Sequence, residues 1–238
     1  MGRADRFDLQ PGTVLAGKYR IEAFLGRGWE GEVYRVVEIP TGITRAAKLF
    51  YPVRNPLNRT AKRYARQLDS LRACPVVIQY HHTEAVELDE RRVTAMISEF
   101  VDGVRLSQLP HDRSGRQLTP FEAIHLLHTL LSGLETIHDA GLYHGDLHSD
   151  NVLVRRVGTA FGVKLFDFFH RGRPGRWAQQ DDLVDAVKLF HEVLGGRRTY
   201  ARHPAWVKRI CCGLKRSLIL ARYPNAARLR RHLETFEW

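Results

Sequence analysis

The stretch Gly26-Arg27-Gly28-Trp29-Glu30-Gly31-Glu32-Val33, of the form G-x-G-x-x-G-x-V, constrains the fold more than any other part of the chain. It stands between Tyr19-Arg20-Ile21-Glu22-Ala23-Phe24-Leu25 and Tyr34-Arg35-Val36-Val37, which alternate as strands do. A dinucleotide-binding turn with the same glycines would open a helix instead. Between two strands, the glycines predict a hairpin tip whose backbone N–H groups can approach phosphate oxygens with no Cβ in the way. A plain β-turn uses the same residues, so the pattern carries weight only in company.

That company is ordered. After a Pro40-Thr41-Gly42 turn, Ile43 to Phe50 reads as a strand carrying Ala46 and Lys48. Thr60 to Arg72 reads as a helix, with Thr60 as N-cap and Tyr64, Leu68 and Leu71 on one face. Val76 to Thr83 and Val93 to Ser98 read as two more strands. Helices then take over. Thr119-Pro120-Phe121-Glu122 is a capping box with Pro at the first helical position, and it starts an apolar stripe through Phe121, Ile124, Leu127, Leu131, Leu134 and Ile137. Asp181 to Leu194 is amphipathic and stops at Gly195-Gly196; two further helices are predicted near Ala205–Leu220 and Asn225–Phe236. Strands first and helices after is an α+β arrangement.

Between the helices, Leu142-Tyr143-His144-Gly145-Asp146-Leu147-His148-Ser149-Asp150-Asn151 leads into the apolar run Val152-Leu153-Val154. A second strand, Gly162 to Phe166, delivers Asp167. Asp146 can accept a proton from a hydroxyl nucleophile, while Asn151 and Asp167 offer hard oxygens to Mg²⁺; phosphoryl transfer to a hydroxyl needs this set. The spacing of His144, Asp146 and His148 also suits a transition metal, but a loop built around hard oxygens favours Mg²⁺.

Taken in order, these motifs resemble the protein kinase superfamily, and most closely its compact eukaryotic-like Ser/Thr members of bacterial type. The resemblance implies a bilobal fold, with an antiparallel sheet and one helix over residues 1–100 and a mostly helical lobe over residues 101–238. It implies ATP and Mg²⁺, a γ-phosphate passed to Ser or Thr of a protein substrate, and Asp146, Lys48 and His148 in catalytic roles. ATP would lie between the Gly26–Val33 loop and Leu153. Gly26, Gly28, Gly31, Val33, Ala46, Lys48 and Leu153 would bind it, with Glu99 and Val101 meeting the adenine edge by backbone behind Ser98. Asn151 and Asp167 would hold the metal, and Asp182 would tie down the catalytic loop.

The departures are equally specific. The family's H-R-D-L reads His144-Gly145-Asp146-Leu147, its D-F-G reads Asp167-Phe168-Phe169, and His148 stands where Ser/Thr kinases usually have Lys. His170 to Gln180 is short, with no A-P-E motif and no Ser, Thr or Tyr to phosphorylate. No Glu lies between Asn58 and Ala73, where the family's helix would pair one with the strand lysine near Ala65. The expectation is that Asp167 and the phosphates restrain Lys48, because Glu30 and Glu32 sit on a loop that solvent reaches. A small-molecule kinase of aminoglycoside or choline type, and a pseudokinase scaffold, are the alternative readings.

Composition adds a partner and a compartment. The formal net charge is +11. After Gly196 come Arg197, Arg198, Arg202, Lys208, Arg209, Lys215, Arg216, Arg222, Arg228, Arg230 and Arg231, against only Glu234 and Glu237. Such a face attracts an acidic protein or nucleic acid, or is simply solvated. Cys74, Cys211 and Cys212 match no metal or disulfide spacing, and the Cys211-Cys212 pair is expected to be packing on an apolar helix. No secretion signal and no membrane span are expected, which places the chain in the cytoplasm.

Overall fold

A computed structural model of the chain describes residues 6–88, 90–111, 117–158, 160–169 and 175–236. The chain divides into two units, Met1–Arg72 with Ile78–Val101, and Ala73–Val77 with Asp102–Trp238. Its content is α+β, with strands concentrated in the first unit and helices in the second.

In the first unit, β1 (Val14–Leu15), β2 (Tyr19–Arg27), β3 (Gly31–Glu38), β4 (Thr44–Phe50), β5 (Tyr80–Leu88) and β6 (Arg91–Glu99) form one sheet in the order β1-β2-β3-β4-β6-β5. Every pairing is antiparallel. One face carries Ile21, Tyr34, Val36, Ala47, Leu49, Ala95 and Ile97 into a shared apolar core. Because side chains alternate across a strand, burying Tyr34, Ala47 and Leu49 there turns Val33, Ala46 and Lys48 to the opposite face. Helix α1 (Arg59–Ser70) of this unit buries Ala61, Tyr64, Ala65 and Leu68.

The second unit opens with a three-stranded sheet of β7 (Val104–Arg105), β8 (Val152–Val157) and β9 (Ala160–Leu165), and is otherwise helical. The capping box at Thr119 starts α2 (Pro120–Asp139) as expected: the Thr119 hydroxyl accepts from Glu122 N–H and the Glu122 carboxylate accepts from Thr119 N–H. Helix α3 (Arg176–Val193) follows, then α4 (Ala205–Cys211), α5 (Arg216–Arg222) and α6 (Ala226–Thr235). No helix of the described residues is long and apolar enough to cross a membrane.

Several expected boundaries move. Helix α1 begins at Arg59, after Leu57 and Asn58 in left-handed conformation. Thr60 lies inside it with its hydroxyl donating to Arg54 O, and the Asn55 side chain accepts from Ala61 N–H instead. Strand β5 starts at Tyr80 rather than Val76, because Val76 and Val77 belong to the second unit. There Leu165 N–H donates to Val76 O and the Val76 side chain fills the notch at Gly133 on α2. Phe121, expected on the buried stripe, is half-exposed against the His125 ring. Helix α3 begins at Arg176, five residues before Asp181. The helix expected over Ala205–Leu220 breaks at Cys212, Gly213 and Leu214, all at positive φ. Cys211 is therefore buried packing, its thiol pushed up to about 12 by burial, while Cys212 sits half-exposed at the break.

Candidate active site

The first unit supplies a glycine hairpin and a lysine. Gly28 N–H donates to Gly31 O at 2.9 Å, so Trp29 and Glu30 form a two-residue tip. A Cβ on Gly31 would run into the Leu49 carbonyl of β4, whereas one on Gly28 would meet nothing. Gly31 is thus required by strand packing, and Gly28, whose N–H is spent on Gly31 O, is uncrowded. Lys48 lies opposite Val33 on β3 and Met96 on β6, and Ala46 opposite Ser98, so these five share the face turned from the core. Glu99 N–H donates to Gln79 O, which leaves the Glu99 carbonyl as the group there for a ligand's edge.

Lys48 is the first correction at the site. Its Nζ lies 3.1 Å from Glu30 Oε2, 4.9 Å from the Tyr64 ring centroid and 5.3 Å from that of Phe50. The hairpin tip supplies a carboxylate after all, and α1 contributes an aromatic face where the expected acid is missing. A cation within about 6 Å of a ring is attracted by its quadrupole, so Tyr64 and Phe50 restrain the ammonium together with Glu30. Neither ring carries a sequence signal for this role. Glu32 does not lie where solvent reaches it. It is fully buried and accepts from the Tyr34 and Tyr51 hydroxyls and from the N–H groups of Phe7 and Asp8. Burial and the bond to this carboxylate push the Tyr51 phenol up to about 12, and the Tyr34 phenol up as well.

The second unit supplies a loop pinned from three sides. Asp182 of α3, 1% exposed, accepts from His144 N–H at 2.7 Å, Gly145 N–H at 2.9 Å and the His138 ring at 3.0 Å. Gln179, one turn earlier on α3, donates to His138 O and Leu142 O; Ser149 donates to Glu192 near the helix end. Neither Gln179 nor Glu192 carries a sequence signal beyond lying on an amphipathic helix.

His144 joins the two acidic segments. It is fully buried, and burial pushes its pKa down, so the ring is neutral. Nε2–H donates to Phe166 O at 3.0 Å, while Nδ1 accepts from Asp146 N–H at 3.3 Å. Phe169 N–H closes the circuit on His144 O at 2.9 Å, and Phe166 N–H reaches Asn151 O. The residue just past Phe166, Asp167, is held at φ 56, a conformation uncommon for a side chain other than Gly, Asn or Asp. Both nitrogens of His144 being spent on backbone, the transition-metal reading of His144, Asp146 and His148 fails. Among the described residues no group of three or more His, Cys, Asp or Glu could hold a metal ion.

Asn151 is buried and directs its Nδ2 to Asp146 O at 2.9 Å and Asp146 Oδ2 at 3.2 Å. This leaves Oδ1 as the amide's end for a cation. With the Asp167 carboxylate that makes two hard oxygens, a set that fits Mg²⁺, which takes one or two protein ligands and fills the rest from water and phosphate. His148 Nε2 lies 2.9 Å from Asn151 Nδ2, and its Nδ1 lies 3.3 Å from Asp150 N. A neutral imidazole accepts at one nitrogen only, so the two contacts exclude each other, and whichever nitrogen does not accept carries the ring N–H. Leu153 pairs with Arg105 and Lys164 and is half-buried.

The departure at Gly145 has a local cause. Its φ is +80, and a Cβ there would run into Phe169 O and the Tyr143 ring. Gly145 and Phe169, the two positions where the motifs depart from H-R-D and D-F-G, thus meet each other. Residues 170–174 of the short basic segment lie outside the described residues.

The family described as protein kinase domain matches residues 19–173. The chain is similar to a probable serine/threonine-protein kinase of Streptomyces coelicolor, 31% identical over 156 residues, which cover 65% of this chain and 22% of that protein. It is similar to serine/threonine-protein kinase pkn2 of Myxococcus xanthus, 30% identical over 158 residues, 65% of this chain and 18% of that one. The chain spans less than a quarter of the length of either relative. The fold is also that of the Mycobacterium tuberculosis PknI kinase domain. A crystal structure of a double mutant of that domain superposes with a TM-score of 0.69 at 21% identity, covering 95% of this chain and 98% of that one.

Proposed function

The chain belongs to the protein kinase domain family, and on that premise we propose that it binds Mg²⁺-ATP and transfers the γ-phosphate to a serine or threonine hydroxyl of a protein. The observation that carries this is the circuit through His144, which ties the Asp146 loop to the backbone just before Asp167 while Asn151 grips Asp146. In the transfer, the hydroxyl oxygen forms a bond to the γ-phosphorus, the bond to the β-bridging oxygen breaks, and ADP leaves. Asp146 takes the hydroxyl proton. Its side chain is half-exposed, as a group that meets an incoming substrate must be. Asn151 orients Asp146 through Nδ2 and turns its oxygen to the metal with Asp167. Mg²⁺, when bound, offsets the charge that develops on the phosphates. His148 donates a ring N–H to the transferring phosphoryl group, and Lys48 donates to the phosphates nearer the nucleoside. Gly26, Gly28, Gly31, Val33, Ala46 and Leu153 line the nucleotide, and Glu99 and Val101 meet its adenine edge.

Turnover of labelled ATP with Mg²⁺ tests the reading. Asp146→Ala should lose about 10²–10⁴ in rate, the usual worth of a positioned base, while still binding nucleotide. Asp167→Ala should weaken nucleotide binding only when Mg²⁺ is present. No heat of binding from Mg²⁺-ATP added to folded protein would end the proposal. A small-molecule hydroxyl is the second reading, favoured by one observation: only residues 170–175 separate Phe169 from α3, which leaves little chain to hold a peptide. A pseudokinase would bind nucleotide and show no turnover sensitive to Asp146→Ala.

A partner for the basic C-terminal residues belongs to the same proposal. Arg216 is paired with Asp181 and lies over the Trp177 ring, and Arg230 is paired with Glu234, so part of the excess is structural. The remainder, including Arg197, Arg198, Arg228 and Arg231, suits an acidic protein or nucleic acid.

A further inference from the structure

We propose that the outer face of helix α1, with the loop before it and the tip of the β2–β3 hairpin, is a docking surface for an anionic lipid bilayer. A cationic stripe meets the headgroups while three projecting apolar side chains enter the interface. The whole surface lies in the first unit and uses none of the residues assigned to phosphoryl transfer.

Helix α1 has two unlike faces. Ala61, Tyr64, Ala65 and Leu68 are buried, while Arg59, Lys62, Arg63 and Arg66 stand at i, i+3, i+4 and i+7 on the opposite side, all four exposed. Elsewhere on the chain Arg27, Arg35, Arg216 and Arg230 are each paired with a carboxylate. None of the four cations of α1 has an ion-pair partner among the described residues. Asp69, the helix's own acid, stands in its last turn, and Glu30 on the neighbouring hairpin tip is taken by Lys48. The charge of the stripe is therefore uncompensated and faces outward.

Apolar side chains project beside it. Trp29, Val53 and Leu57 are 62%, 67% and 76% exposed, on three separate turns. Their placement is fixed by the loop. Arg54 lies over the Trp29 ring at 3.4 Å, and its carbonyl accepts from the Thr60 hydroxyl in the first turn of α1, which joins tip, loop and helix. Leu57 is left-handed at φ 54, and the Oδ1 of the next residue, Asn58, accepts from the Thr94 hydroxyl and from Asn55 Nδ2. Turning Leu57 inward would break both bonds. A protein partner must supply a matched pocket for each projecting side chain. A bilayer needs no match: Trp, Leu and Val enter the headgroup boundary wherever they project, and the Lys and Arg beside them gain from anionic lipid. Nucleic acid would use the stripe and leave Val53 and Leu57 in water. Unpaired cations next to exposed aliphatic side chains therefore favour the bilayer.

Sedimentation of the chain with vesicles of phosphatidylcholine alone, or of phosphatidylcholine and phosphatidylserine in equal parts, tests this. Binding should require phosphatidylserine and weaken as salt rises. Lys62→Gln with Arg66→Gln should lower the affinity about 20-fold, since each basic group near an anionic leaflet gives about fivefold. Leu57→Asn with Val53→Ser should lower it about tenfold on the same vesicles. Asparagine accepts the left-handed backbone at position 57, so the fold is kept, as a thermal melt of each variant would confirm. Arg228→Gln with Arg231→Gln, an equal loss of charge from the C-terminal residues, should leave binding nearly unchanged. Absence of binding to the anionic vesicles overturns the proposal. Equal losses from the helix pair and the C-terminal pair also overturn it, because the attraction then belongs to net charge. Binding that is indifferent to Leu57→Asn with Val53→Ser overturns it as well; if polyglutamate or single-stranded RNA then binds, and loses affinity in Lys62→Gln with Arg66→Gln, the stripe belongs to an acidic protein or to nucleic acid.

Discussion

Asp182 and Gly145 set the catalytic loop from opposite directions. Asp182 gives one buried carboxylate to two consecutive backbone N–H groups and to His138. Replacing it by Ala leaves those donors buried without an acceptor, at about 1–3 kcal/mol each, so Asp182→Ala should lower the urea midpoint sharply or prevent folding. Asp182→Asn, which keeps one acceptor, should fall between. Gly145→Ala meets both a positive φ and the Phe169 carbonyl, and should cost about 1–3 kcal/mol. Gly145→Arg, which would write the family's H-R-D, should therefore impair the protein in thermal melts and in turnover, not improve it. His144 carries a pH dependence. Burial depresses its pKa in the fold, so the unfolded chain binds the extra proton first. Its stabilising effect is complete above the ordinary histidine value of 6.5 and is lost as pH falls below it toward the folded value. Melts between pH 7 and 5 should show stability dropping, with a shallower slope in His144→Gln.

At the scale of elements, the β2–β3 hairpin is held from beneath by Glu32 and from its tip by Glu30. Glu32→Ala would leave the Tyr34 and Tyr51 hydroxyls and the N–H groups of Phe7 and Asp8 without their acceptor, and should cost about 3 kcal/mol or more. The KM for ATP should rise with it, because the segment over Phe7–Leu9 is fastened to the hairpin through these bonds. Helix α1 behaves oppositely to its counterpart in the family. Ala65 is buried and Tyr64 already faces Lys48. Ala65→Glu should then place a carboxylate where desolvation costs about 1–3 kcal/mol, with no gain in rate. A faster Ala65→Glu enzyme of unchanged stability would show that the helix acid is merely absent and not replaced.

For the molecule as a whole, the charge distribution argues for association controlled by salt. Exposed charges are screened beyond about 10 Å at 0.1 M salt, and counterion release makes nucleic-acid binding fall steeply with ionic strength. A nucleic-acid or acidic-protein complex through the basic residues after Gly196 should form at low salt and dissociate as salt approaches about 0.2 M, as titration at several salt concentrations would show. No association at low salt would leave that face a solvated one.

Features that depend on local pattern and spacing were legible in the chain alone. Alternation placed β2, β3 and β4; the capping box placed α2; and the ordered glycines, Lys48, Asp146, Asn151, Asp167 and Asp182 carried the family resemblance, because backbone periodicity and motif spacing are properties of neighbours along the chain. Contacts between residues distant in sequence were not legible there. Val76 and Val77 read as strand, yet they pack on Gly133 and Leu165, and an apolar run cannot announce which partner will cover it. Thr60 looked like a cap, but Asn55 took that role through two left-handed residues, of which Leu57 has no local propensity for that conformation. Glu32 and Glu30 read as alike, two acids on a loop; one is buried among tyrosines and the other holds Lys48. The side of the sheet each one reaches depends on which strand lies next to it, and that is settled when β4 docks.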